Sequence, residues 1–172
     1  MKLNLKELVT FSMLSAIMLI SKLLLEAIPN FHLLAVFTIA MTVVYRQKAL
    51  YPIYLYAFLQ GVVGGFSLWW APHLYIWTVL WGVVMLLPRK MKPVTATVVY
   101  TIVCALHGLL YGAIYAPAQA LMFGLSFKGM ITWIIAGIPF DLIHAAHNLI
   151  LGMVLIMPII MVLRSADKYI RN

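Results

Sequence analysis

Apolar runs separated by short basic or Pro/Gly-containing turns follow one another along almost the whole chain. Of its 172 residues, 65% are hydrophobic and 9% are charged. A soluble domain is about half apolar and about a quarter charged. A bilayer core of about 30 Å requires roughly 20 apolar residues in each crossing helix. We therefore predict an all-α integral membrane protein, and we expect no separate soluble catalytic domain.

Turn and charge signals divide the chain into six predicted transmembrane helices in a single compact domain, residues 1–172. The stretch 116–137 is too apolar for a solvated loop. We therefore predict an interfacial or re-entrant segment there, before the last helix. The six predicted spans are 5–28, 32–45, 49–63, 69–87, 93–115 and 139–163.

The basic residues are distributed unevenly about these spans. The net charge is +8, with 12 Lys and Arg against 4 Asp and Glu. Ten of the twelve basic residues fall at the two termini and in the turns after the second and fourth spans. An even number of spans puts these four segments on one side, which the positive-inside rule makes cytoplasmic. The charge is thus explained by topology, and we expect no nucleic-acid partner. The ten residues are Lys2, Lys6, Arg46, Lys48, Arg89, Lys90, Lys92, Arg164, Lys168 and Arg171.

The last predicted span carries an unusual group of polar residues in the stretch GIPFDLIHAAHNLILG. On a helix, Asp141, His144, His147 and Asn148 fall within an arc of about 120°. Polar groups inside a membrane face the bundle interior or a water-filled cavity. We predict that Asp141, His144 and Asn148 bind a solute at the outer end of this helix. The alternatives are a helix-terminus role for Asp141 and hydrogen bonds between helices for His144 and Asn148.

Aromatic residues crowd the outer start of the predicted fourth span, in WWAPHLYIW. Flat rings with indole and phenol donors suit a compact heterocyclic solute. We predict that Trp69, Trp70, His73 and Tyr75 contribute to the same pocket. The alternative is an ordinary aromatic belt at the membrane interface. Trp133 and either Tyr111 or Tyr115 would complete such a site.

Three further polar residues lie on the same predicted side. Gln60 is a lone amide near the outer end of the third span, and Asn30 and His32 belong to the turn PNFH. We predict a second set of pocket contacts from these three residues. A tie between helices for Gln60 and an ordinary Pro-Asn turn are the alternatives.

Sequence motifs for enzymatic chemistry do not occur in the chain. It has no P-loop, no Ser-His-Asp arrangement and no HExxH, so we expect neither an enzyme nor an ATPase. The lone Cys104 forms no redox motif, and we predict no metal site. The alternative functions are a stand-alone transporter or channel for a small solute or divalent metal, an enzyme with Asp141 and His144 as an acid–base pair, and a purely structural subunit.

Several stretches resemble S components, the substrate-binding subunits of energy-coupling factor (ECF) vitamin transporters. They are IPNFHLL, YRQKALYPIYLYAFLQG, WW-x-x-x-LYIW and GLSFKGMITWIIAGIPFDLIHAAHN. The resemblance implies capture of a water-soluble vitamin or vitamin precursor in an outward pocket of a bacterial plasma-membrane protein. It also implies docking on a transmembrane coupling (T) subunit, with ATP used by two partner ATPase subunits and no cofactor bound by this chain. Ser12 and Ala16 take the positions of the family's Ala-x-x-x-Ala docking motif on the first helix.

Overall fold

A computed structural model describes residues 3–27 and 31–171, and the regular secondary structure in this part of the chain consists of helices, without strands. Three stretches are long and apolar enough to cross a membrane, namely Leu5–Leu24, Pro93–Phe123 and Phe127–Ile170. The α-helices are α1 (Leu5–Leu24), α2 (Leu34–Tyr45), α3 (Leu50–Gly64), α4 (His73–Leu86), α5 (Pro93–Leu109), α6 (Tyr111–Phe123) and α7 (Phe127–Arg171), with a 3-10 turn at Arg46–Ala49 between α2 and α3.

The last third of the chain differs most from the predicted spans. The stretch 116–137 forms the end of α6, a short turn and the first part of α7, rather than a separate segment before the last helix. Pro117 lies inside α6, and Pro139 lies inside α7. A proline frees a backbone carbonyl, but neighbouring groups in a packed membrane bundle satisfy it again. The chain turns instead at Gly124, whose φ of 63° is a left-handed conformation that glycine adopts without strain.

The helices pack around α2, which contacts both α4 and α7. Most of α2 is buried, including Val36, Ile39 and Met41, which are fully enclosed. α5 packs along α7, α6 continues that contact, and α1 packs against α3. The bundle therefore has one hydrophobic core, centred on α2 and the facing part of α7.

The outer surface of the bundle is apolar, whereas several polar groups are inside. Met13 and Ile17 of α1 and Met153 of α7 are exposed. Ser15, by contrast, is buried and donates a hydrogen bond of 3.0 Å from Oγ to the carbonyl of Pro52. A hydrocarbon environment favours this arrangement, since polar groups must then find partners within the bundle. Apolar helices with this surface indicate a membrane protein.

Basic residues gather at one end of the bundle. Lys48 forms an ion pair with Glu7, and Nη2 of Arg46 donates to the carbonyl of Met85 over 2.9 Å. These contacts join the start of α1, the 3-10 turn and the end of α4. Nζ of Lys6 also lies 3.4 Å from the carbonyl oxygen of Tyr169, near the end of α7. We call this region the basic end.

Candidate solute-binding cavity

A cavity of about 190 Å³ lies at the opposite end of the bundle. It is bordered by the ends of α1 and α3, by the starts of α2 and α4, and by α6 and α7. Its lining is rich in rings and polar groups: Lys22, His32, Leu34, Gln60, His73, Trp77, Tyr111 and His144.

Aromatic contacts hold the walls of the cavity in place. The His32 and His144 rings meet edge to face with centroids 4.8 Å apart, and the Tyr111 ring lies 5.0 Å from that of His144. Trp77 is 1% exposed, and its ring lies 5.6 Å from that of His107. Such ring pairs add stability beyond their buried area. Ring contacts therefore connect the side chains on several walls of the cavity.

Four polar atoms around this space have no hydrogen-bond partner among the described residues. They are Oε1 of Gln60, Nε1 of Trp77, Nε2 of His144 and Nδ1 of His32, and all four are buried. An unsatisfied buried polar group costs about 1–3 kcal/mol. Buried polar groups in proteins are normally paired with protein, water or ligand. Similar atoms occur elsewhere in the bundle, such as the hydroxyl of Tyr56 and Nδ1 of His107, but here a cavity adjoins them in which a polar guest, water or solute, could supply the missing bonds.

The four unpartnered atoms define which hydrogen-bonding groups a bound solute would need. The indole N–H of Trp77 only donates, and Oε1 of Gln60 only accepts. A matching solute therefore carries both an acceptor and a donor. Flat faces on Trp77, Tyr111 and the histidines favour a planar solute between them.

A positive charge lies beside the cavity. Lys22 contributes to the lining and pairs with Glu26 at 2.6 Å between Nζ and Oε1. The side chain of Lys22 is 26% exposed and that of Glu26 is 60% exposed. The ion pair therefore marks the side of the cavity that is nearest to solvent.

Five residues that the sequence suggested for the pocket line the cavity: His32, Gln60, His73, His144 and Tyr111. His73 links two of the walls, because Nε2 lies 3.3 Å from the hydroxyl of Tyr111. Its Nδ1 lies 3.2 Å from the carbonyl oxygen of Trp69.

The other predicted aromatic residues lie outside this lining and tie helices together. Nε1 of Trp70 donates to the carbonyl of Ala57 over 2.6 Å. The hydroxyl of Tyr75 donates to the carbonyl of Ile114 over 2.7 Å. Trp69 is 38% exposed. Direct solute contacts from these three residues stay a prediction, and Asn30 lies outside the described residues.

Asp141 and Asn148 connect α7 to its neighbours. Both carboxylate oxygens of Asp141 accept from the backbone N–H of Gly112, at 3.1 and 3.2 Å. Nδ2 of Asn148 donates to the carbonyl of Cys104 over 3.0 Å. Asp141 lies inside α7 and not at its start, but the N–H that it binds belongs to the first turn of α6, so its carboxylate serves the start of that neighbouring helix. Both residues hold α7 in place beside His144, and solute contact by either stays a prediction.

Sequence reasoning did not predict three residues that shape the site, namely Lys22 and Trp77 in the lining and His107 behind it. A signal for His107 exists, because His107, Tyr111 and Tyr115 are spaced four residues apart. Residues at that spacing share one helix face. Their rings do follow one another, with centroids 6.1 Å apart for the first pair and 6.3 Å for the second.

The side chain of His147 lies outside the lining of the solute cavity. Its ring meets that of Phe31 with centroids 4.6 Å apart. Within residues 3–27 and 31–171, no three His, Cys, Asp or Glu side chains are grouped so as to hold a metal ion.

Comparison with protein-family models, curated proteins and solved structures gave no match to this chain.

Proposed function

We propose that this chain is the substrate-capture subunit, or S component, of an ECF-type transporter, and that the cavity holds a small water-soluble vitamin or vitamin precursor. One observation carries the proposal: a small cavity with four unpartnered buried polar atoms inside a bundle whose surface is apolar. At about 190 Å³, the space is below the usual range of about 300–1,000 Å³ for drug-sized ligands. A compact, planar, polar solute fits this description.

We further propose that the chain crosses the membrane six times, with both termini in the cytoplasm. The crossings would be α1, α2, α3, α4, the pair α5–α6, and α7. The contacts that gather basic residues at one end of the bundle support this topology, because positively charged segments stay on the cytoplasmic side. The cavity would then open to the outside, where a nutrient is captured.

Cysteine labelling tests this topology. The native Cys104 is buried and would give a low background. We expect a membrane-impermeant maleimide to label Ser67→Cys, between α3 and α4, in intact cells. Ser165→Cys, near the end of α7, should be labelled only after lysis. Labelling of both positions in intact cells would contradict the proposed topology.

The surface of α1 supports docking on a membrane partner. Ser12 is exposed and Ala16 is partly exposed, on the face that carries the exposed Val9 and Met13. Small residues four apart let a second helix approach closely. We propose that this face meets the T subunit, and that two ATPase subunits supply the energy for release of the solute. The chain itself would bind no cofactor.

Native mass spectrometry of the gently purified protein tests the capture role. We expect one vitamin-sized molecule per chain, released on denaturation. A chain that stays empty after incubation with a panel of water-soluble vitamins would contradict the proposal. Solute uptake by the purified chain alone in liposomes, without ATP, would identify a stand-alone transporter or channel instead.

A further inference from the structure

A second, larger cavity lies at the basic end of the molecule, far from the solute cavity. Its volume is about 570 Å³, and three of its lining residues are basic: Arg46, Lys48 and Arg89. The acidic residue in the lining, Glu7, is already engaged by Lys48 and by the backbone N–H of Asn4. With three basic side chains and one acidic side chain, the lining carries a net positive charge.

Arg46 is held in this cavity at a cost in backbone energy. Its φ of 55° and ψ of −120° lie in a region that residues with a side chain rarely adopt, at a cost of order 1–3 kcal/mol. Its carbonyl accepts from Nε1 of Trp81 over 3.0 Å. Its Nη2 donates to Met85, while its Nε is buried and has no partner among the described residues. The fold thus fixes the guanidinium of Arg46 at the edge of this cavity.

Arg89 also belongs to a neighbouring cavity of about 210 Å³, lined in addition by Lys90 and Arg164. Two adjoining cavities therefore share one arginine and carry basic groups from the ends of α2, α4 and α7. Guanidinium groups match the oxygens of a phosphate in geometry and charge. Both cavities therefore suit an anion that carries a phosphate group.

We propose that the basic end binds the headgroup of an anionic phospholipid, with its phosphate in the cavity lined by Arg46 and Arg89. Leu86, next in sequence to the lining residue Met85, is 87% exposed, and Val94, next to Pro93 of the neighbouring cavity, is 77% exposed. These would contact acyl chains, a contact that a free phosphate cannot make. Basic pockets at the cytoplasmic ends of membrane helices are typical headgroup sites. The inference does not depend on solute capture at the other end.

Lipid adducts counted by native mass spectrometry provide the test. The protein in neutral detergent would be titrated with either phosphatidylglycerol or phosphatidylcholine. We expect retention of phosphatidylglycerol, with adducts about three- to tenfold weaker in Arg89→Gln and Arg46→Gly. Glycine accepts the backbone angles of position 46 without strain, so the second variant removes the guanidinium while favouring the same fold. Lys128→Gln, the same charge change at an exposed site in the first turn of α7, is the matched control and should retain lipid normally.

Three results would overturn the proposal. Equal retention of the two lipids would show that the protein does not select lipids by the charge of the headgroup. An equal loss in Lys128→Gln would show a general effect of net charge. Displacement of phosphatidylglycerol by millimolar inorganic phosphate would assign the cavity to a soluble anion.

Discussion

Replacing His144 by leucine is expected to weaken solute binding by about 10- to 100-fold while leaving the fold intact. His144 is 2% exposed, and its Nε2 is buried without a partner at the solute cavity. If a bound solute supplies that partner, its loss removes about 1–3 kcal/mol of binding free energy, and each 1.4 kcal/mol is about tenfold in affinity. Leucine also removes an unsatisfied polar atom from the empty protein. Because the ring contacts of His144 with His32 and Tyr111 are lost at the same time, thermal stability without solute should stay close to that of the native protein.

Isothermal titration with the solute identified from the purified protein would measure this effect. His147→Leu is the matched control, because it makes the same substitution on the same helix outside the cavity lining. We expect its affinity to stay within about twofold of the native protein, since surface or non-contacting changes have small effects. Equal losses in the two variants would show that His144 acts only through the packing of α7.

Replacing Gly108 by alanine is expected to lower the free energy of unfolding, because the added methyl group would collide with α7. A Cβ at this position would lie 2.8 Å from Nδ2 of Asn148 and 3.0 Å from the backbone nitrogen of Ala145. The backbone of α7 cannot yield as the end of a side chain can. Overpacking of this kind costs about 1–3 kcal/mol, and sometimes more. For a chain of this size, that corresponds to a fall in the unfolding midpoint of about 2–10 °C. It should also disturb the Asn148–Cys104 hydrogen bond beside the cavity.

Gly82→Ala supplies the comparison, because a Cβ on this α4 glycine would meet nothing within 4 Å. Alanine is the better helix former by about 1 kcal/mol, so its unfolding midpoint should stay level or rise slightly. Thermal unfolding of the two variants in the same detergent, followed by intrinsic tryptophan fluorescence, would separate them. A midpoint for Gly108→Ala equal to that of Gly82→Ala would show that α5 and α7 are not in tight contact at this point.

The helical and apolar character of the protein was predictable from hydropathy, because long apolar runs leave few alternatives to membrane helices. The ends of the last helices could not be predicted from hydropathy. Pro117 and Pro139 are signals for helix ends in water, but each lies inside a helix here. The turn at Gly124 depends on a left-handed backbone, and its sequence signal is one glycine among 10. Local sequence thus predicted the helices better than the points where they end.

The candidate site shows a similar division. The periodicity of α7 predicted that Asp141, His144 and Asn148 face inward, and all three are buried. Periodicity cannot say which neighbour each one meets. Asp141 meets the backbone of Gly112, Asn148 meets that of Cys104, and His144 reaches the cavity. That distinction depends on which helices pack against α7, which is set by contacts between residues far apart in sequence.

The length of α7 has a mechanical consequence. Its 45 residues extend over about 68 Å at 1.5 Å per residue, roughly twice the thickness of a bilayer core. His144 lies along this rod on the side of the solute cavity, and Arg164 lies towards the basic end. If the rod turns as one body, a rocking motion of 10° about its midpoint moves each tip by about 6 Å. The end of α7 beside the basic end would therefore move by this amount, while His144, five residues from the midpoint at Leu149, would move by only about 1 Å.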